Sequence, residues 1–389
     1  MASMQRDHIP ALDGMRGLAI LLVLVYHFFK IPAAYGVEGL AARFALAGWI
    51  GVDLFFVLSG FLITGILYDA KARKDYFRNF YARRFLRILP LYYGILALYI
   101  LVFPSISIVP QRQYQSLVEH QLWFWTHLSN VSIAIEGYGN QQRGWTHFWS
   151  LAVEEQFYLV WPAVVFLCSR RRLITVCTGC VIAAAAIRLG LWLGGAAPRI
   201  AVVLPITRID SLAAGGLVAL IIRGGAFERI RRTAFWVLGV SAGVLAAVFV
   251  TTRNVDAQNP LVQVLCFTPL ACGFAALLFI TVANPSAPFS RLFSLPMLRF
   301  WGTYSYGLYV VHRLVGYQLE DWGFGAGLFP LWFGSRLPQA FLVMLVEIIA
   351  SLIVAMASWH LYEKQFLKLK RWFPYGSRTS GRRQSEALA

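Results

Sequence analysis

The chain has 389 residues, of which 58% are hydrophobic, 15% aromatic and only 14% charged, yet its formal net charge is +17. A soluble globular chain carries about 25% charged residues, and the mean hydropathy of +0.61 points the same way. Disordered, collagen-like, disulfide-scaffold and ordinary soluble-enzyme classes are excluded, and nucleic acid is a poor partner for so apolar a chain despite its basic charge.

A helical span of a bilayer core takes about 20 apolar residues. Ten such runs follow one another: 9–29, 48–68, 88–108, 149–168, 173–194, 203–222, 234–251, 261–282, 300–318 and 338–361. The expected fold is therefore all-α, a polytopic transmembrane bundle of about ten spans. The first run carries Asp13 and Arg16 and lacks a small-residue cleavage site, so it reads as a retained helix rather than a signal segment. Between the third and fourth runs, 117–135 holds Trp123, Phe124 and Trp125 and reads as an interfacial or re-entrant helix. The surrounding loop, 105–147, adds His127, Trp145 and His147; its aromatic faces suit sugar rings as well as a membrane interface. After the last run, the Gly-, Ser- and Arg-rich stretch reads as a disordered basic tail, which divides the chain into a membrane domain, 1–366, and a tail, 367–389. The cysteines Cys168, Cys177, Cys180, Cys266 and Cys272 lie in or beside apolar runs. No second pair or nearby histidine completes a metal set with Cys177 and Cys180, so no metal is expected.

Lys and Arg sort by alternate loops into groups of 24 and 7, with the remaining four inside helices. The positive-inside rule then puts both termini in the cytoplasm of a multi-pass protein, and an even number of spans keeps the alternation. At 1.5 Å per residue, His27 stands about 21 Å beyond Asp13 on the first helix. Asp53, Glu154, Glu155, Asp210 and His312 fall at similar depth on four others, with Arg208 beside Asp210. Ionisable groups at membrane depth are costly and mark functional sites, so these should surround an internal cavity. The densest basic cluster, Arg83, Arg84 and Arg87, stands at the opposite face, ahead of Pro90. Arg84 and Arg87 are three apart and share a helix face. Lipid phosphate binding, or an ion pair of Glu154 or Glu155 with Arg188 or Arg208, is the plainer reading of these charges.

Five stretches resemble the acyltransferase-3 family of integral membrane proteins. The first is Leu12-Asp13-Gly14-Met15-Arg16-Gly17-Leu18 with His27 at the far end of the same helix. The second runs from Gly51-Val52-Asp53 through Ser59-Gly60 to Ile63, and the third is Tyr81-Ala82-Arg83-Arg84-Phe85-Leu86-Arg87-Ile88-Leu89-Pro90. The fourth is Phe148-Trp149-Ser150-Leu151-Ala152-Val153-Glu154-Glu155-Gln156-Phe157-Tyr158, and the fifth is Ser305-Tyr306-Gly307-Leu308-Tyr309-Val310-Val311-His312. The resemblance spans Ile9 to about Phe366. It implies a multi-pass protein of the cytoplasmic (inner) membrane that moves an acyl group, often acetyl, from cytoplasmic acyl-coenzyme A to an acceptor hydroxyl. The acceptor is commonly a sugar of an envelope polysaccharide, lipopolysaccharide or glycolipid, and sometimes a macrolide. It also implies that His27 is catalytic and that Arg84 and Arg87 serve the acyl donor. Arg313 after His312 departs from many relatives, and no appended hydrolase-like pattern follows the last run.

On this reading Arg84 and Arg87, helped by Arg83, hold coenzyme A phosphates. His27 acts as general base, with Glu154 or Asp53 fixing its tautomer, or as a nucleophile carrying the acyl group. Tyr306, Ser59 or a backbone amide would stabilise the oxyanion. Asp13, Arg16, Trp149, Ser150, Glu155, Arg208, Asp210 and His312 complete the candidate site. The expected partners are acyl-coenzyme A, with acetyl-coenzyme A as the expected donor, a carbohydrate or glycolipid, and the bilayer. The rival class, a proton-coupled transporter, also needs buried His, Asp and Glu, but the sequence shows no matching halves.

Overall fold

A computed structural model describes residues 9–375 apart from 32–35, 107–110, 139–143, 226, 254, 326–327, 329–330 and 333; the side chains of 105, 106, 111–113 and 228 are likewise not described. Arg6, Arg143 and the tail beyond Tyr375, all used in the orientation count, lie outside these residues. Ten long helices occupy the ten apolar runs: α1 (Pro10–Phe28), α2 (Ile50–Ala70), α3 (Tyr76–Ala97), α4 (Phe148–Leu167), α5 (Arg170–Leu193), α6 (Pro205–Arg223), α7 (Phe227–Thr252), α8 (Pro260–Ala283), α9 (Pro296–Asp321) and α10 (Leu337–Ser358). Pro10, Pro205, Pro260 and Pro296 each open a helix, where the missing N–H costs nothing. Among the described residues, nine helical segments are long and apolar enough to cross a membrane. The run outside these nine is 300–318, in α9, which is more polar because it carries Ser305, Tyr306, Tyr309 and His312 into the bundle.

Residues 111–136 form two helices, Gln111–Trp125 and Ser129–Glu136, joined at His127, whose φ of 53° is left-handed. Helix α3 begins well before the apolar run, at Tyr76, so Arg83, Arg84 and Arg87 sit inside it. Tyr76 and Tyr81 donate to the carbonyls of Pro162 and Leu159 and tie α3 to α4. The chain after α10 does not leave the bundle at residue 366: helix and turn continue through Trp372, and residues to Tyr375 lie against α3.

The core follows close helix crossings. A side chain at Gly60 would collide with the Leu212 backbone of α6, and one at Gly215 with the Val57 backbone of α2. Gly17 and Gly302 meet the same limit where α1 crosses α9. Small residues let membrane helices approach this closely, with packing replacing the hydrophobic drive that lipid removes. Two buried ion pairs reinforce the interior: Asp53 of α2 with Arg208 of α6 at 2.6 Å, and Asp210 of α6 with Arg188 of α5 at 2.7 Å. Large apolar side chains such as Leu159, Val160, Trp236 and Val240 remain exposed, as lipid-facing ones do.

Candidate functional site

Two cavities open inside the bundle. The first is cationic. Arg16 of α1, Arg84 and Arg87 of α3, and Glu154 and Glu155 of α4 line it, together with Ser59, Tyr158, Ser150, Tyr306 and Tyr309. The helix register explains the arginine set: Arg84 and Arg87 share one face of α3, and Arg16 lies nearly two turns into α1, with its Nη1 3.4 Å from Asp13. Tyr158 donates to Glu154 at 2.9 Å and is also hydrogen-bonded to Ser59. Arg84 Nε and Glu155 Oε1 are buried with no hydrogen-bond partner. Such orphaned polar atoms are expensive unless a ligand or water completes them.

Arg83 is different. Its Nη1 donates to the carbonyls of Lys370 (3.2 Å) and Phe373 (3.0 Å), and its guanidinium lies 4.6 Å from the Tyr375 ring centroid. The expected third phosphate-holding arginine is therefore committed to the chain after α10. Arg16 takes its place in the cavity wall.

The second cavity holds His27, with Tyr26, Trp49, Trp149, Arg208 and Arg313 among its walls. His27 lies in the last turn of α1, and its Nδ1 stands 3.0 Å from the Val23 carbonyl and 3.1 Å from Nε2 of His312. His312 is fully buried, and its Nδ1 faces the carbonyls of Leu308 (3.0 Å) and Tyr309 (2.8 Å). An imidazole nitrogen facing two carbonyls carries the proton, so the neutral His312 presents a lone pair on Nε2. That lone pair accepts from Nδ1–H of His27, and the tautomer this assigns leaves Nε2 of His27 unprotonated. His147, just before α4, closes the group, its ring centroid 4.8 Å from that of His312 and 6.4 Å from that of His27. Burial, with His312 and Arg313 nearby, holds His147 well below the ordinary imidazole range, so it is neutral at pH 7.

Neither carboxylate expected to orient His27 is there. Asp53 accepts from Arg208 (2.6 Å) and Ser211 (2.8 Å), and Glu154 belongs to the cationic cavity. Asp210 is likewise taken, by Arg188 and by Thr268 at 3.0 Å. The ion pairs foreseen for Arg188 and Arg208 thus form with aspartates, not with Glu154 or Glu155. Tyr306 donates to the Ile88 carbonyl at 2.6 Å and braces α9 against α3, so its hydroxyl is engaged. The loop aromatics diverge as well. Trp145 is buried against Phe148 and Phe124, and Trp125 stacks on Tyr93, away from the His27 cavity.

Tyr309 and Val52 line both cavities. The Tyr309 hydroxyl bonds Ser150 and lies 3.2 Å from the His147 carbonyl. The sequence signal for Tyr309 is its place three residues before His312, on the same face of α9; His147 adjoins the fourth motif. Among the described residues no group of three or more His, Cys, Asp or Glu side chains could hold a metal ion.

Comparison with known proteins gives the relationship. The chain is 30% identical over 327 residues to the peptidoglycan O-acetyltransferase OatA of Listeria monocytogenes, covering 79% of this chain and 49% of that protein. It is 30% identical to the putative peptidoglycan O-acetyltransferase YrhL of Bacillus subtilis, covering 78% and 48%. It is 27% identical to the O-acetyltransferase OatA of Staphylococcus aureus, covering 93% and 57%. The chain thus spans about half the length of the curated relatives it matches. No solved structure matches. A family model described as an acyltransferase domain matches residues 9–359, and the chain belongs to the acyltransferase-3 family of membrane proteins.

Proposed function

We propose that the protein is an O-acyltransferase of the cytoplasmic membrane, with both termini in the cytoplasm. It moves an acetyl group from acyl-coenzyme A to a sugar hydroxyl of a cell-envelope polysaccharide. The observation that carries this reading is the pair of cavities meeting at Tyr309, one walled by Arg16, Arg84 and Arg87, the other containing His27. Planar, permanently charged guanidinium groups suit the phosphates of the donor. The pantetheine arm then directs its thioester toward Tyr309. The second cavity admits the acceptor; its Trp49, Trp149 and Tyr26 suit the apolar faces of sugar rings. The relatives named as peptidoglycan O-acetyltransferases support a glycan acceptor, peptidoglycan among the candidates.

In the reaction, Nε2 of His27 removes the proton of the acceptor hydroxyl as its oxygen forms a bond to the thioester carbonyl carbon. His312 holds Nδ1–H of His27 and so keeps Nε2 available, the task that a carboxylate performs in hydrolase triads. The Tyr309 hydroxyl, on the wall shared by the two cavities, would meet the developing oxyanion by turning from the His147 carbonyl that it faces at 3.2 Å. Collapse breaks the carbon–sulfur bond. The imidazolium returns its proton to the thiolate, giving the ester and free coenzyme A.

The test is transfer of radiolabel from acetyl-coenzyme A to glycan in membranes carrying the protein or its His27→Ala variant. The expected loss is roughly 10²–10⁴-fold, the range for a general base. Normal transfer by the variant would remove His27 from the mechanism. Label reaching a macrolide but no glycan would change the acceptor, and movement of an intact solute without covalent change would favour a transporter.

A further inference from the structure

The segment after α10 has a structure that the donor reading leaves unused. Beyond Lys368 a tight turn, Leu369–Trp372, brings the chain back onto α3. Side chains of α3 hold it there by its backbone. Arg83 Nη1 donates to the carbonyls of Lys370 and Phe373, and Asn79 Nδ2 donates to that of Pro374 at 2.9 Å. Two cation–ring contacts add to this, Arg83 over Tyr375 and Arg78 over Phe373, the latter at 5.6 Å.

This strap carries Lys370, which is half-buried. Burial, and after it the positive charges of Arg87, Arg84, Arg83 and Arg16, hold its amine below the ordinary lysine range. A flexible lysine is thus held among guanidinium groups that repel it, an arrangement that a polyanion relieves. The cavity itself has little surplus charge: Glu154 and Glu155 stand against Arg16, Arg84 and Arg87. A ligand with several phosphate charges needs more cations than the helices supply.

We propose that residues 369–375 form a strap completing a polyphosphate site at the mouth of the arginine cavity, with Lys370 as a phosphate ligand beside Arg84 and Arg87. Arg83 and Asn79 are positioning residues that hold the strap in place. The inference rests on the reading of this cavity as the donor site, and its ligand class is the phosphate portion of a coenzyme A-type thioester.

Calorimetric titration of coenzyme A into the full chain in nanodiscs tests it, with pantetheine as the phosphate-free control. Lys370→Ala should weaken coenzyme A binding about tenfold, the usual effect of one charge-assisted hydrogen bond, and leave pantetheine unaffected. Lys370→Arg should restore affinity to within about threefold, since the charge is kept. Asn79→Ala should reproduce part of the loss by loosening the strap. Unchanged affinity in Lys370→Ala, with weakened binding in the Arg84→Ala, Arg87→Ala double variant, overturns the strap and leaves the donor reading standing. Tighter binding in Lys370→Ala or Asn79→Ala overturns it too, since the strap would then obstruct the mouth. Absence of coenzyme A binding by the unaltered protein removes the donor reading and the strap together.

Discussion

At the residue scale, His27 has a histidine where the better-known triads have an acid. A carboxylate holds an imidazole through charge and stabilises its protonated form; a neutral imidazole only fixes the tautomer. The orienting contact is then a hydrogen bond from Nδ1–H of His27 to Nε2 of His312, the latter kept unprotonated by the Leu308 and Tyr309 carbonyls on its other side. Removing that acceptor leaves Nδ1–H with the Val23 carbonyl alone, at 3.0 Å, so the loss is that of one hydrogen bond, about 0.5–1.5 kcal/mol, and each 1.4 kcal/mol lost from the transition state is about tenfold in rate. His312→Ala should therefore lower the transfer rate roughly 2–10-fold with donor affinity unchanged. His312→Gln, whose carbonyl can accept the same bond, should retain more activity than the alanine variant. Equal loss in both variants would show that His312 supports packing only.

At the element scale, the ten apolar runs and the ten long helices coincide because a bilayer leaves the backbone no other way to satisfy its hydrogen bonds. The departures have equally physical causes. Helix α3 extends to Tyr76 because tyrosine hydroxyls anchor its polar turns to α4, a long-range contact that no local periodicity reports. The strap is legible only as a basic stretch, since what orders it is the pattern of donors on α3. The site divides in the same way. Residue counting puts His27, Asp53, Glu154, Asp210 and His312 at one depth, but depth is a single coordinate. Which way each helix face turns decides that Asp53 meets Arg208 and that Glu154 meets Tyr158. That rotation depends on crossings such as Gly60 on α6, where a Cβ meets backbone rather than a movable side chain. Gly60→Leu should thus lower the melting temperature of purified protein by an amount matching overpacking of about 1–3 kcal/mol. Gly179→Ala, with open space around its Cα, should leave it unchanged. A Gly60→Leu protein as stable as the parent would mean that the two helices can separate without cost.

At the scale of the whole molecule, the +17 charge and the two cavities belong to one arrangement. The basic surplus sorts to one set of apolar-run connections, and the arginine cavity is lined from the first turns of α3, which carry most of the basic residues of the stretch 70–87. The His27 cavity is reached past Tyr309, from the opposite end of the same helices α1 and α9. Under the proposed function, such a layout would take an anionic, water-soluble donor from one face and an acceptor from the other, without moving either across the hydrocarbon. Transfer should therefore be vectorial. Sealed inverted vesicles, which present the cytoplasmic face, should use added acetyl-coenzyme A at once. Right-side-out vesicles should use it only after permeabilisation, because a cofactor bearing several phosphate charges does not cross a bilayer. Acceptor glycan should show the reverse preference, being modified when supplied to the face nearer His27. Equal use of external acetyl-coenzyme A by both sealed preparations would place the donor mouth on both sides. The charge asymmetry would then be a topology signal alone.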